Sequence, residues 1–242
     1  MVHFGPRATP EFDAIRTSLR STRVRIGALA GALERDHPDW SSGTDARLTS
    51  FAKLANVIES AELALKFLDE YMAHAGWWAS NYSPLPSSRD AGLYIQEFSQ
   101  FSKAGLLQLG FGATESSFRV FLRALDPAAC EGGTGAFKAV YDCLLRTKLR
   151  LAQADDRIAL LDLLRELRNS IHNHGVYFHH RKPGAVVIYR GERYEFTGGI
   201  AISFATWTLL GTLFAAVAEL LAEVVGSPNI SGILAPLDEP AF

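Results

Sequence analysis

Apolar residues recur at intervals of three and four along most of the chain, a spacing that places them on one face of an α-helix. The pattern predicts a first helix over 10–33 and a second helix with an unbroken apolar stripe over 51–72. Turn-forming residues at 37–43 separate the two, and Thr44 or Asp45 is suited to cap the second helix. We therefore expect the chain to begin with an antiparallel helix pair.

The middle of the chain predicts an irregular link followed by further helices. The link starts at Trp77-Trp78 and runs on through the proline-containing stretch 81–88. We interpret the two tryptophans as a plug for one end of a helical bundle, with stacking on a base as the alternative. A helix follows to Leu109, Phe111-Gly112 is expected to bend or interrupt it, and an amphipathic helix covers 114–123.

After residue 175 the helical spacing ends, and apolar and polar residues begin to alternate. Short alternating runs predict three strands within 176–197, with turns at Pro183-Gly184 and Arg190-Gly191. The segment 197–218 carries no charge and is long enough to cross a bilayer, but its hydroxyl residues favour a buried core helix. We expect one mostly α-helical bundle over 1–242, with a small β-hairpin or three-strand insertion at 176–197 before the last helix and a loose tail.

Composition excludes some classes of protein. The formal net charge is −2, so no overall basic field attracts nucleic acid, and such binding would need a local basic patch. Cys130 and Cys143 are too few for a disulfide framework, and no Cys/His spacing suits zinc, so we expect neither a metal nor a cofactor. The first residues lack the apolar run of a signal peptide, which favours a cytoplasmic protein without a membrane anchor.

The strongest candidate for chemistry is the end of a helix predicted from about Asp155. Arg165, Arg168 and His172 are spaced three and four apart, so they share one helical face and are expected at one rim. Gly175 suits the left-handed conformation that follows many helix ends. An apolar stripe beside these residues would hold the helix against the core; it consists of Leu160, Leu164, Leu167 and Ile171.

The segment 168–175, Arg-Asn-Ser-Ile-His-Asn-His-Gly, resembles the signature of the HEPN superfamily. That signature is an arginine, commonly followed by Asn, Asp or His, and then a histidine after four to six intervening residues. Arg168-Asn169 matches its start, and His174 follows Arg168 after five residues. His172 follows after only three, although six residues separate it from Arg165, so either histidine can be the motif histidine.

The resemblance implies a metal-independent endoribonuclease, often the toxin of a defence or toxin–antitoxin system. Its substrate would be RNA, cleaved by transesterification to a 2′,3′-cyclic phosphate. A histidine can supply the base and an arginine the charge on the phosphate, here Arg168 with His172 or His174, and Asn169 would orient either group. A homodimer and an antitoxin or nucleotidyltransferase partner are also implied. Tyr177 lies one residue too far on to match the tyrosine that such a transferase modifies in some members.

Three residues are further candidates for substrate binding: Arg165, Glu115 and Arg119. Glu115 and Arg119 are spaced for a simple helical ion pair, and the alternative is that Glu115 faces an arginine of the central helix. A helix end rich in Arg, Asn and His is also typical of ordinary capping. A non-catalytic dimeric interaction module and a nucleotide or phosphoryl-ligand binding module therefore stand as alternatives to the ribonuclease.

Overall fold

The computed structural model describes residues 10–40, 43–130, 135–171, 175–178 and 183–238. Within them the chain forms eight α-helices and one two-stranded antiparallel sheet: α1 (Pro10–Asp36), α2 (Ala46–Phe67), α3 (Ala75–Asn81), α4 (Ser88–Leu125), α5 (Phe137–Asp142), α6 (Ala154–Ile171), β1 (Gly184–Tyr189), β2 (Glu192–Thr197), α7 (Trp207–Val225) and α8 (Pro228–Ser231). A π-helical turn extends α2 over Leu68–Met72 and another extends α5 over Cys143–Lys148. The predicted fold class, a helical bundle with a small sheet before the last long helix, is confirmed.

The antiparallel pair of α1 and α2 is confirmed. Ion pairs join opposite ends of the two helices, with Arg16 3.1 Å from Asp69 and Arg20 2.8 Å from Glu62. Asp45, one of the two residues predicted to cap α2, does so by accepting a hydrogen bond from a backbone N–H in the first turn of the helix. The predicted stripe over 51–72 is buried throughout, so α2 lies at the centre of the core.

The tryptophan pair lies on a short helix, α3, rather than at the start of an irregular link. Trp78 is completely buried, and its Nε1 donates a hydrogen bond to the carbonyl of Met72 at 2.7 Å. The ring of Trp77 packs edge-on against that of Trp78. This packing agrees with the interpretation of the pair as a plug for the bundle.

The helix α4 is continuous over 38 residues, so the predicted interruption at Phe111-Gly112 is wrong. A glycine weakens a helix but keeps its backbone N–H, and no proline is present to remove a hydrogen bond. The neighbouring Gly110 lies under the ring of Phe214 of α7, where a Cβ would come within 2.4 Å of ring carbons. At this position the glycine allows two long helices to pack closely.

Among the described residues, the insertion before α7 contains a hairpin of two strands, while the first of the three predicted strands lies partly outside them, at 179–180. Arg190 and Gly191 form its two-residue turn with φ values of 51° and 81°, which is the left-handed geometry that matches the twist of a hairpin. Val176 pairs with Ala201 in an isolated bridge and lies outside this sheet. Its neighbour Tyr177 packs its ring on the hairpin, 5.4 Å from that of Phe196.

The helix α7 carries the apolar segment that could be a membrane span or a core helix. Among the described residues it is the one helix long and apolar enough to cross a membrane. In this fold most of its side chains are buried, and it packs against α1, α2, α4 and α6. This packing is the one predicted for a core helix.

The C-terminal segment to Asp238 is packed against the bundle, so the prediction of a loose tail is wrong for these residues. Arg47 is buried and donates hydrogen bonds to the carbonyls of Ile233 at 2.7 Å and Ala235 at 3.3 Å. Ile230 and Leu237 add buried apolar contacts. The start of α2 and the end of the described chain therefore form one packed unit.

Candidate functional site

The motif helix α6 is anchored as its apolar pattern predicts. Leu160, Leu164 and Leu167 are buried, and Ile171 is half-buried. Past the helix, Gly175 has a φ of 82° and donates its N–H to the carbonyl of Ser170 at 3.1 Å, which confirms the predicted left-handed glycine.

The candidate catalytic residues His172 and His174, with Asn173 between them, lie outside the described residues. The described geometry therefore comprises the residues on either side of them. On the helical side the description runs through Arg168 and Asn169 to Ile171, and on the other side the chain is described again from Gly175.

Arg168 is half-buried in the last turn of α6 and faces α4. Its Nε donates a hydrogen bond to Oε1 of Gln108 at 3.2 Å, and its guanidinium carbon lies 6.0 Å from the centre of the Phe111 ring. No carboxylate in the described part of the chain pairs with it. The guanidinium is thus oriented by a neutral amide and an aromatic ring, and no carboxylate among the described residues neutralises its positive charge.

Arg165 has acidic neighbours instead. Its Nη2 lies 2.6 Å from Oε1 of Glu166, and its Nη1 lies 3.2 Å from Oδ1 of Asp162. Its Nη1 also donates to the hydroxyl of Tyr141 at 3.3 Å. The rim predicted for Arg165 and Arg168 is therefore divided, because Arg165 contacts α5 and carboxylates of α6 while Arg168 contacts α4.

The acidic side of this network is centred on Asp162. The hydroxyl of Tyr141 donates a short hydrogen bond to Asp162, and Nζ of Lys138 lies 3.2 Å from the same carboxylate. Burial of the ring, with the Asp162 carboxylate beside it, holds the pKa of Tyr141 far above its ordinary value. Tyr141 is therefore a neutral donor, and the charge of Asp162 is shared between Lys138 and Arg165.

Glu166 is buried and connects the two sides of the motif. Its Oε1 accepts from Arg165, and its Oε2 accepts from the hydroxyl of Tyr177 at 3.1 Å. Burial, together with the Glu166 charge, raises the pKa of Tyr177 to about 12, so this hydroxyl remains a donor at neutral pH. Because Glu166 precedes the motif histidines and Tyr177 follows them, the pair anchors the chain on both sides.

Two clefts flank the end of α6. The hairpin cleft, of about 640 Å³, lies between α6 and β1 and is lined by Arg165, Asn169 and Tyr177 among others. The α4 groove, of about 520 Å³, lies between α4 and the end of α6, where Ser170 and Ile171 form part of its wall. Asn169 therefore lies on the side of Arg165, although it is next to Arg168 in sequence.

Glu115 and Arg119 form an ion pair one helical turn apart on α4, with 2.6 Å between Arg119 Nη2 and Glu115 Oε1. Arg119 also donates to the carbonyl of Gly135 at 3.0 Å. The described contacts therefore match the simple helical pair, and they join Glu115 to Arg119 rather than to an arginine of α6.

Sequence reasoning missed the neighbours that surround Arg168. Gln108 precedes Arg168 by 60 residues, and only the packing of α4 on α6 brings them together. Glu166 did carry a signal, because it falls between buried Leu163 and Ser170 at steps of three and four, where a charged residue must find a partner.

Comparison of the chain with protein-family models, curated proteins and solved structures gives no match. Within the described ranges no group of three His, Cys, Asp or Glu side chains is placed to hold a metal ion.

Proposed function

We propose that this protein is a HEPN-type endoribonuclease that cleaves RNA without a metal ion through Arg168 and either His172 or His174. One observation carries the proposal: Arg168 is oriented by Gln108 and Phe111 at the end of α6, and the described part of the chain provides no carboxylate to neutralise it. A guanidinium in this state can bind two phosphate oxygens and stabilise the charge that develops on them.

The proposed reaction needs one base and one cation. The histidine accepts the proton of a ribose 2′-hydroxyl, and the 2′-oxygen attacks the adjacent phosphorus. The bond from phosphorus to the 5′-oxygen breaks, the leaving oxygen takes up a proton from water, and the protonated histidine releases its proton to the solvent. The products are a 2′,3′-cyclic phosphate and a 5′-hydroxyl, and Arg168 stabilises the negative charge of the phosphorane-like transition state.

The test is cleavage of total RNA by the purified protein in the presence of a chelator. We expect Arg168→Ala to lower the cleavage rate by about 100-fold or more, the usual effect of removing one donor to a developing charge. Arg89→Ala is the matched control, because Arg89 is an exposed arginine in the first turn of α4. Identical RNA patterns from wild type and Arg168→Ala would contradict the proposal.

A homodimer is part of the proposal, since the resemblance implies that two motifs share one cleft. Sedimentation of wild type and Arg168→Ala separates this proposal from a non-catalytic dimeric module. A stable Arg168→Ala dimer without cleavage supports the enzyme. A variant that dissociates or unfolds, from a wild type that does not cleave RNA, supports the module.

A further inference from the structure

The α4 groove has an apolar floor and an open mouth. Leu167, Ile171 and Leu210 contribute to the floor, and the groove encloses about 520 Å³. This volume lies within the range typical of sites for small molecules or single nucleotides. Ser170 and Gly175 also line the groove, so it borders the chain just before and just after the motif histidines.

Lys103 brings a positive charge to the wall of this groove. It is half-buried, and burial lowers its pKa below the ordinary value. Glu97 lines the same groove, but no ion pair joins it to Lys103 within the residues that the structure describes. A partly desolvated ammonium without a counter-charge favours an anionic ligand.

Phe101 forms an aromatic rim of the same groove. Its side chain is on α4, 73% exposed, and lines the groove on the same helix as Lys103. An exposed ring and a cation that line one groove are the combination with which proteins bind single-stranded nucleic acid, since the base stacks and the phosphate pairs with the charge. Two turns further along α4, Gln108 holds Arg168, so the groove leads toward the proposed cleavage site.

We propose that the α4 groove binds one nucleotide of single-stranded RNA next to the cleaved bond, with its base on Phe101 and its phosphate at Lys103. This inference rests on the proposed function and adds a subsite to it. Stacking on a phenylalanine accepts any base, so the subsite contributes affinity with little sequence preference.

The test measures binding separately from cleavage. The probe is a fluorescent 2′-O-methyl oligoribonucleotide, which cannot be cleaved because it lacks the attacking hydroxyl, and the readout is anisotropy. We expect about tenfold weaker binding for Phe101→Ala and near wild-type binding for Phe101→Trp, which keeps a stacking surface. Lys103→Gln is expected to reduce the slope of log affinity against log salt by about 0.7, the value for one phosphate of a single strand.

Two matched variants serve as controls. Leu109→Ala removes another exposed apolar side chain of α4 that does not line the groove, and Arg89→Gln removes a charge at the start of the same helix. Both are expected to bind the probe like wild type. With cleavable RNA, Phe101→Ala should raise KM and leave kcat nearly unchanged, because stacking stabilises substrate and transition state equally.

The failures of the subsite and of the enzyme are distinguishable. If Phe101→Ala and Lys103→Gln bind the probe like wild type while Arg168→Ala has lost cleavage, the subsite is overturned and the ribonuclease stands. If both groove variants bind weakly but wild type cuts no RNA, the subsite stands and the ribonuclease falls. A wild type that binds no probe overturns the subsite. The subsite is also overturned if Phe101→Ala changes the oligomeric state of the protein, measured as its mass in solution, but not its affinity for the probe.

Discussion

Two arginines one helical turn apart on α6 differ in what neutralises them. Arg165 is paired with Glu166 and Asp162, so its charge is used within the protein. Arg168 contacts an amide and a ring, and among the described residues no carboxylate takes up its charge. The sequence predicts catalysis for Arg168 and substrate binding for Arg165, whereas the described contacts of Arg165 are with carboxylates of the protein itself.

Tyr177, which donates a hydrogen bond to Glu166, makes the stability of the fold depend on pH in the alkaline range. Its pKa is raised from 10.0 to about 12 in the folded protein, so the folded state holds the proton more tightly than the unfolded state. The stabilisation is complete below pH 10 and is lost as the pH rises toward 12. We expect Tyr177→Phe to lower the free energy of unfolding by about 1–2 kcal/mol at pH 7 and to flatten this alkaline loss, as measured by urea unfolding from pH 7 to 12.

The control for Tyr177 is Tyr71→Phe, because Tyr71 is half-exposed on the turn that extends α2. This variant should keep both the stability and the pH profile of wild type. An unchanged alkaline loss in Tyr177→Phe would show that ionisation of Tyr177 does not cause that loss. An unchanged free energy of unfolding at pH 7 would show that the hydrogen bond to Glu166 does not stabilise the fold.

The helix α4 contains two nearby glycines, Gly110 and Gly112, that lie in different surroundings. Gly110 has the ring of Phe214 above it, whereas a Cβ on Gly112 would meet no atom within 4 Å. We expect Gly110→Ala to destabilise the protein by about 1–3 kcal/mol through overpacking. Gly112→Ala should stabilise it by about 0.5–1 kcal/mol, because alanine is the better helix former. Thermal and urea unfolding of the two variants measure both effects, and equal effects would contradict this account.

Elements whose signal is local could be predicted from the sequence, while those that depend on distant partners could not. The stripe of α2, the cap at Asp45 and the left-handed Gly175 follow from residue type and spacing. The unbroken α4 could not be foreseen, because a glycine such as Gly112 lowers helix propensity without breaking the backbone hydrogen bonds, and the packing of neighbouring Gly110 against α7 depends on a distant partner. The same limit applies to the candidate site, since Arg168 was identified from the motif but its partner Gln108 comes from another helix.

At the scale of the whole molecule, one buried arginine ties together segments that are far apart in the chain. Arg47 lies over the ring of Trp40 at 4.2 Å, forms a 2.5 Å ion pair with Asp45, and donates to two carbonyls of the C-terminal segment. Burial alone would raise the pKa of Asp45, but the hydrogen bonds and charge of Arg47 hold it below its ordinary value of 3.8. The stability from this pair is therefore present above pH 4 and is lost as the pH falls further.

Removal of Arg47 should therefore detach the C-terminal segment as well as weaken the fold. We expect Arg47→Met to lower the free energy of unfolding by about 3–5 kcal/mol, because it leaves the Asp45 carboxylate buried without its counter-charge. Amides of 233–238 should then exchange faster with solvent hydrogen.

The double variant Asp45→Asn/Arg47→Met should be more stable than Arg47→Met, because asparagine removes the unpaired charge and still caps α2. Arg25→Met, which breaks an exposed pair with Glu219, should cost less than about 1 kcal/mol. If Arg47→Met leaves exchange over 233–238 unchanged, the arginine does not hold this segment.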